Sequence, residues 1–62
     1  MNNYFKLALN RKQQALAKRL ARLPNEEERL YDPELQNLDE KNSNAANVVM
    51  AYAAKLAQQE DR

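Results

Sequence analysis

A chain of 62 residues with a formal net charge of +1 makes at most one small domain, and one this size is marginal as an isolated unit. It has no cysteine and no histidine, so neither disulfides nor an ordinary zinc site can supplement the core, and self-association or a partner is the expected staple. Gly, Thr, Ile and Trp are also missing, and Val48 and Val49 are the only β-branched residues. A sheet is excluded on composition. Abundant Ala, Leu, Gln, Glu, Lys and Arg predict an all-α fold, a small three-helix bundle or kinked helical hairpin in a single domain over 1–62.

Charge is divided along the chain. Met1 to Leu23 holds Lys6, Arg11, Lys12, Lys18, Arg19 and Arg22 and no acid, whereas Pro24 to Arg62 carries four bases against nine acids. The two parts are oppositely charged and able to attract one another. No apolar run reaches the roughly 18 residues of a membrane span, and the start of the chain lacks the charged and apolar regions of a signal peptide. A cytoplasmic protein is the expectation.

The first predicted helix runs over about 3–23, with Asn2 or Asn3 as its cap and Pro24 ending it through the residue before it. At about 100° per residue, Phe5, Leu9, Leu16, Leu20 and Leu23 fall within an arc of roughly 60° and form the core-facing stripe. Arg11, Lys12, Lys18, Arg19 and Arg22 gather on a flank centred about 110° away. Tyr4 and Leu7 project near that flank, where they can anchor a partner or lie beneath a second bundle surface.

Asn25 and Glu28 have the spacing of a capping box, and Glu26 and Glu27 add negative charge to a helix start, so a short helix is expected over about 26–31. Asp32 and Pro33 repeat the signal, a cap followed by proline at the first helical position, for a segment over about 33–41 that contains Leu35 and Leu38. A kink or a break belongs there. With a mild one, Tyr31, Leu35 and Leu38 share a face, and Tyr31 and Tyr52 are read as core residues with hydroxyls at the rim.

Asn42, Ser43 and Asn44 mark a loop, with Asn42 or Ser43 capping the helix predicted over about 44–59. There Ala45, Val49, Tyr52 and Leu56 step along one face, and Ala46, Met50, Ala53 and Ala57 widen it to about 160°, enough for two neighbours or a symmetric interface. Leu35, Leu38, Val49, Tyr52, Ala53 and Leu56 join the first-helix leucines as candidate core or oligomer interface.

Catalytic chemistry finds little to work with. Besides the tyrosines the only side-chain hydroxyl is Ser43, in a capping context, so an enzyme is not expected and no cofactor is implied. Glu28 and Asp32 lie four apart, but a lone carboxylate pair is ordinarily a solvated face and not a metal site.

The expected function is that of a protein-binding module or regulator, self-associating and acting by occupancy of a larger protein or complex. Tyr4, Leu7, Arg11, Lys12, Lys18, Arg19 and Arg22 are the candidate contacts. Such binding survives moderate salt and fails when Tyr4 or Leu7 is cut to alanine. The alternative is nucleic-acid binding through the basic flank, for which affinity falls by about one log unit per decade of salt for each phosphate neutralised. A membrane-surface helix is a third reading, and it competes with the core for the same leucines. Solvation, with pairing to the acidic segment, accounts for the same charges without any partner.

Overall fold

The computed structural model describes residues 8–60, with the backbone alone at position 60. It is an all-α bundle with four helices among these residues, α1 (Arg11–Ala21), α2 (Glu26–Leu30), α3 (Pro33–Lys41) and α4 (Ser43–Glu60). No helix among them is long and apolar enough to cross a membrane.

Asparagine and aspartate punctuate the chain in place of the missing glycine. Asn10 starts α1: its Oδ1 accepts from the Gln13 backbone N–H at 2.8 Å, and Gln13 Oε1 accepts from the Asn10 N–H at 3.1 Å. This reciprocal box satisfies two amides at the helix start. The expected helix over 3–23 is therefore corrected, since a new helix begins at Arg11 and the chain through Leu9 and Asn10 is not helical. Asn10 takes extended backbone angles (φ −76°, ψ 176°) because its side chain can then reach the amide three residues on. The proposed caps Asn2 and Asn3 lie outside the described residues.

At its other end α1 tightens, with Arg22 N–H donating to Arg19 C=O at 3.1 Å and Leu23 N–H to Leu20 C=O at 3.0 Å, just ahead of Pro24. Asn25 Oδ1 then caps α2 through the Glu28 N–H at 2.9 Å. Asp32 Oδ1 caps α3 through Glu34 N–H at 2.9 Å and Leu35 N–H at 3.2 Å, with Pro33 at the first position. The middle of the chain is thus two helices. Asn42 serves both sides of the last junction: its N–H donates to Leu38 C=O at 2.7 Å, closing α3, while its Oδ1 accepts from Ala45 N–H at 3.1 Å, opening α4.

The core is a contiguous cluster of Leu9, Leu16, Ala17, Leu20, Leu35, Ala46, Val49 and Ala53, with Leu23, Leu38, Val48, Met50 and Tyr52 partly buried against it. α4 is the central element and packs on both α1 and α3. Ala17 and Ala53 are fully buried, as are the larger Leu20 and Val49. These four residues, two on α1 and two on α4, belong to the one core cluster, and small residues such as Ala17 and Ala53 suit close packing of the two helices.

The placement of Tyr31 differs from expectation. Tyr31 is 68 % exposed and is not a core residue. Asp32, at ψ 127°, restarts the helix out of phase, so Tyr31 loses the face that Leu35 and Leu38 hold. α2 itself buries Arg29, whereas the neighbouring Leu30 is 50 % exposed.

Candidate functional site

The side chains of α1 divide between the inside and the surface. Leu16, Ala17, Leu20 and Ala21 face the core, while Arg11, Lys12, Lys18, Arg19 and Arg22 remain exposed. Of the candidate contacts, Tyr4 and Leu7 lie outside the described residues, as does the candidate core residue Phe5.

Among the described residues Arg19 is the cation that pairs with the chain's own acids. Its Nη1 donates to Asp32 Oδ2 at 2.7 Å, and its Nη2 donates to Asp32 Oδ1 and Glu34 Oε1, both at 3.0 Å. Two parallel bonds to one carboxylate are the strong guanidinium geometry, and they tie α1 to the α2–α3 junction. Asp32 is 8 % exposed, so a single buried carboxylate both caps α3 and receives Arg19. The hydrogen bond from Arg19 is the main cause holding the Asp32 carboxyl below the ordinary aspartate range; burial opposes it, and the Leu35 and Glu34 amides add to it. The same bond raises the pKa of Arg19 above that of a free guanidinium.

This sets the acid behaviour of the fold. A depressed folded-state pKa gives stability that is present above the unfolded value of about 3.9 and is lost as pH falls through the folded one. The urea midpoint of the native protein should therefore drop more steeply below about pH 4 than that of Asp32→Asn, and equal slopes would show that the carboxylate is not held as described.

Arg11, Lys12, Lys18 and Arg22 have no acid partner among the described residues. The capping box at Asn10 changes what Arg11 and Lys12 mean. In a helix over 3–23 they stand mid-helix; in α1 they occupy the first turn, which contains no acid. Cations there oppose the macrodipole by about 0.3–1 kcal/mol each. Lys18 lies in the last turn, where the dipole favours it.

Lys12 borders a cleft of about 330 Å³ between α1 and α3. Leu16 and Leu38 supply its apolar part, Lys41 and Glu34 stand with Lys12 as its charged groups, and Gln13 and Asn37 contribute amides. Glu34 is already engaged by Arg19, which leaves the two lysines without an acid partner among the described residues. The arrangement can take an apolar side chain with an acidic neighbour. Lys41 and Asn37 carry no periodic signal in the sequence; they join Lys12 only because Asn42 ends α3 and α3 lies beside α1.

The remaining candidates are dispersed. Leu9, Leu16, Leu20, Leu35, Val49 and Ala53 are buried in the core, and Leu23, Leu38 and Tyr52 are partly buried against it. Leu56 is half-buried on α4, and Arg22 borders a separate cavity at the α1–α2 turn. Among the described residues there is no group of three or more metal-ligating side chains. A scan against protein-family models finds no match to this chain, and neither the curated proteins nor the solved structures include a significant one.

Proposed function

We propose that the chain is a non-catalytic protein-binding module that acts by occupying a surface of a larger protein. The observation that supports this is the cleft between α1 and α3, where Lys12 and Lys41, which have no acid partner among the described residues, flank an apolar patch formed by Leu16 and Leu38. Phosphate binding needs only the charges. An acidic, amphipathic protein segment uses both parts, its apolar anchor displacing water from Leu38 while a carboxylate meets the lysines. Cations set against the dipole of α1 fit the same partner, because a neighbouring acid relieves that cost. Self-association remains part of the proposal, as the usual supplement to a core this small.

The test is affinity capture with and without nuclease, combined with charge reversal in the cleft. Lys12→Glu with Lys41→Glu should weaken capture of the partner about tenfold or more, equivalent to about 1.4 kcal/mol, while the Lys18→Glu control changes it little. Capture that nuclease abolishes, with affinity falling by about one log unit per decade of salt for each phosphate, would establish nucleic-acid binding and defeat the proposal. A sedimentation mass measured on the same sample determines whether the binding species is a monomer.

A further inference from the structure

The second surface of interest lies at the other end of α1, away from the lysine cleft. The turn between α1 and α2 and the last turns of α4 enclose an open cavity of about 740 Å³. Its walls include two arginines, Arg22 and Arg29, and one acid, Glu26, so cations outnumber acids there. Asn25 and Gln58 add amides, and Ala57 gives part of the wall an apolar character.

Arg29 is the anomaly of this region. It is only 9 % exposed, it has no ion-pair partner among the described residues, and its Nε is fully buried without a hydrogen bond. A buried guanidinium is ordinarily paired, because its charge and its donors lose water without replacement. Arg19 shows what this chain does when an acid is provided for an arginine. Arg29 has none, although Glu26 lies one helical turn earlier and borders the same cavity. Arg29 also borders a smaller cavity of about 230 Å³ lined by Met50 and Ala54, so there is free volume around it beyond the larger cavity.

We propose that the cavity at the α1–α2 turn is a carboxylate-binding site in which Arg29 and Arg22 hold an organic carboxylate, borne either by a free small acid or by an acidic side chain of a partner protein. The planar guanidinium fork offers a carboxylate two parallel donors, and Nε with a neighbouring Nη forms one such edge. Nε is closed to water in the free chain, so binding requires the guanidinium to turn that edge toward the cavity, and the free volume around Arg29 accommodates the movement. Arg22, exposed at the end of α1, supplies the second charge. Glu26 opposes the ligand. The apolar wall suits a carbon-bearing acid better than a bare inorganic ion.

Arginine Nε–H signals of the ¹⁵N-labelled full chain read this directly, with Arg29 assigned by its loss in Arg29→Lys, or by through-bond correlation should that variant not fold. Sodium succinate and a capped Asp–Asp dipeptide are titrated separately against sodium chloride of equal ionic strength. A saturable shift of the Arg29 signal with succinate supports a free acid, and one with the dipeptide alone supports an acidic side chain. In either case Arg22→Gln should weaken binding roughly tenfold, and Glu26→Gln should tighten it. No saturable shift with either probe, or the same shift with sodium chloride, overturns the proposal. So does a hydrogen-bonded Arg29 signal in the free protein that vanishes in Glu60→Gln/Asp61→Asn, since the chain's own acids would then already meet the donor. The lysine cleft and its charge-reversal variants play no part in this outcome.

Discussion

Leu20→Ala should destabilise the fold by about 2–5 kcal/mol, the range for deleting a buried leucine side chain when the surroundings collapse only partly. Leu20 is fully buried at the contact between α1 and α4, with the fully buried Val49 in the same cluster. A chain of 62 residues has a total stability of only about 3–9 kcal/mol at typical values per residue. The substitution should therefore remove a large share of that stability, seen as a urea midpoint well below that of the unsubstituted chain. Leu30→Ala is the matching control: Leu30 is 50 % exposed, and its truncation should change stability by less than about 0.5 kcal/mol. Comparable losses from the two variants would mean that the α1–α4 contact is not the centre of the fold. If the protein self-associates, the midpoint of each variant depends on protein concentration, and the comparison is made at one fixed value.

Asp32→Ala should cost about 2 kcal/mol, the low end of the leucine truncation but more than any single surface charge. Two losses coincide in it. The first is the cap on α3, worth about 1 kcal/mol, because the Glu34 and Leu35 amides lose their acceptor. The second is the paired-fork contact with Arg19, which contributes about 1 kcal/mol after allowance for an arginine side chain that is half in solvent. Asp32→Asn separates the two, since an asparagine caps as well as an aspartate but cannot hold the guanidinium as an ion. It should cost about 1 kcal/mol, and Arg19→Ala about the same. A double-mutant cycle between positions 19 and 32 that gives no coupling would show that α1 is not held to the α2–α3 junction through this pair.

The leucine contact and the Arg19 half of the Asp32 effect join elements remote in sequence, though every group in them is visible as a residue type. Arg19 belongs to a basic flank that periodicity reveals, and Asp32 to a cap-and-proline signal. Their meeting joins residues 13 positions apart, across α2, and could not be read from either signal. As a result Arg19 leaves the set of free contact residues, and Arg11, Lys12, Lys18 and Arg22 are the α1 cations still unpaired among the described residues.

The start of α1 shows how one local signal can conceal another. Leu9 and Leu16 fit one uninterrupted apolar stripe, and Leu9 is indeed buried at 3 % exposure. It reaches the core from outside the helix. The Asn10–Gln13 spacing of a capping box was present in the chain, but a seven-residue interval between leucines fits two helical turns so well that the break leaves no trace in the periodicity. Recognising that box would have placed Arg11 and Lys12 at the positive end of a helix, the fact that most bears on what they contact.

The amino-acid sequence alone determined the all-α class, the ends of the middle segments and the leucine and alanine faces, because glycine and β-branched residues are scarce and Asn, Asp and Pro act on their immediate neighbours. Tertiary structure decided which charges are neutralised within the chain, that Tyr31 faces solvent, that Lys12 and Lys41 share a cleft and that Arg29 is buried with no ion-pair partner among the described residues. Caps and periodicity are settled within a turn or two of helix. Pairing and burial of long charged side chains depend on which helices lie side by side, and in this chain that is set where α4 packs on both α1 and α3.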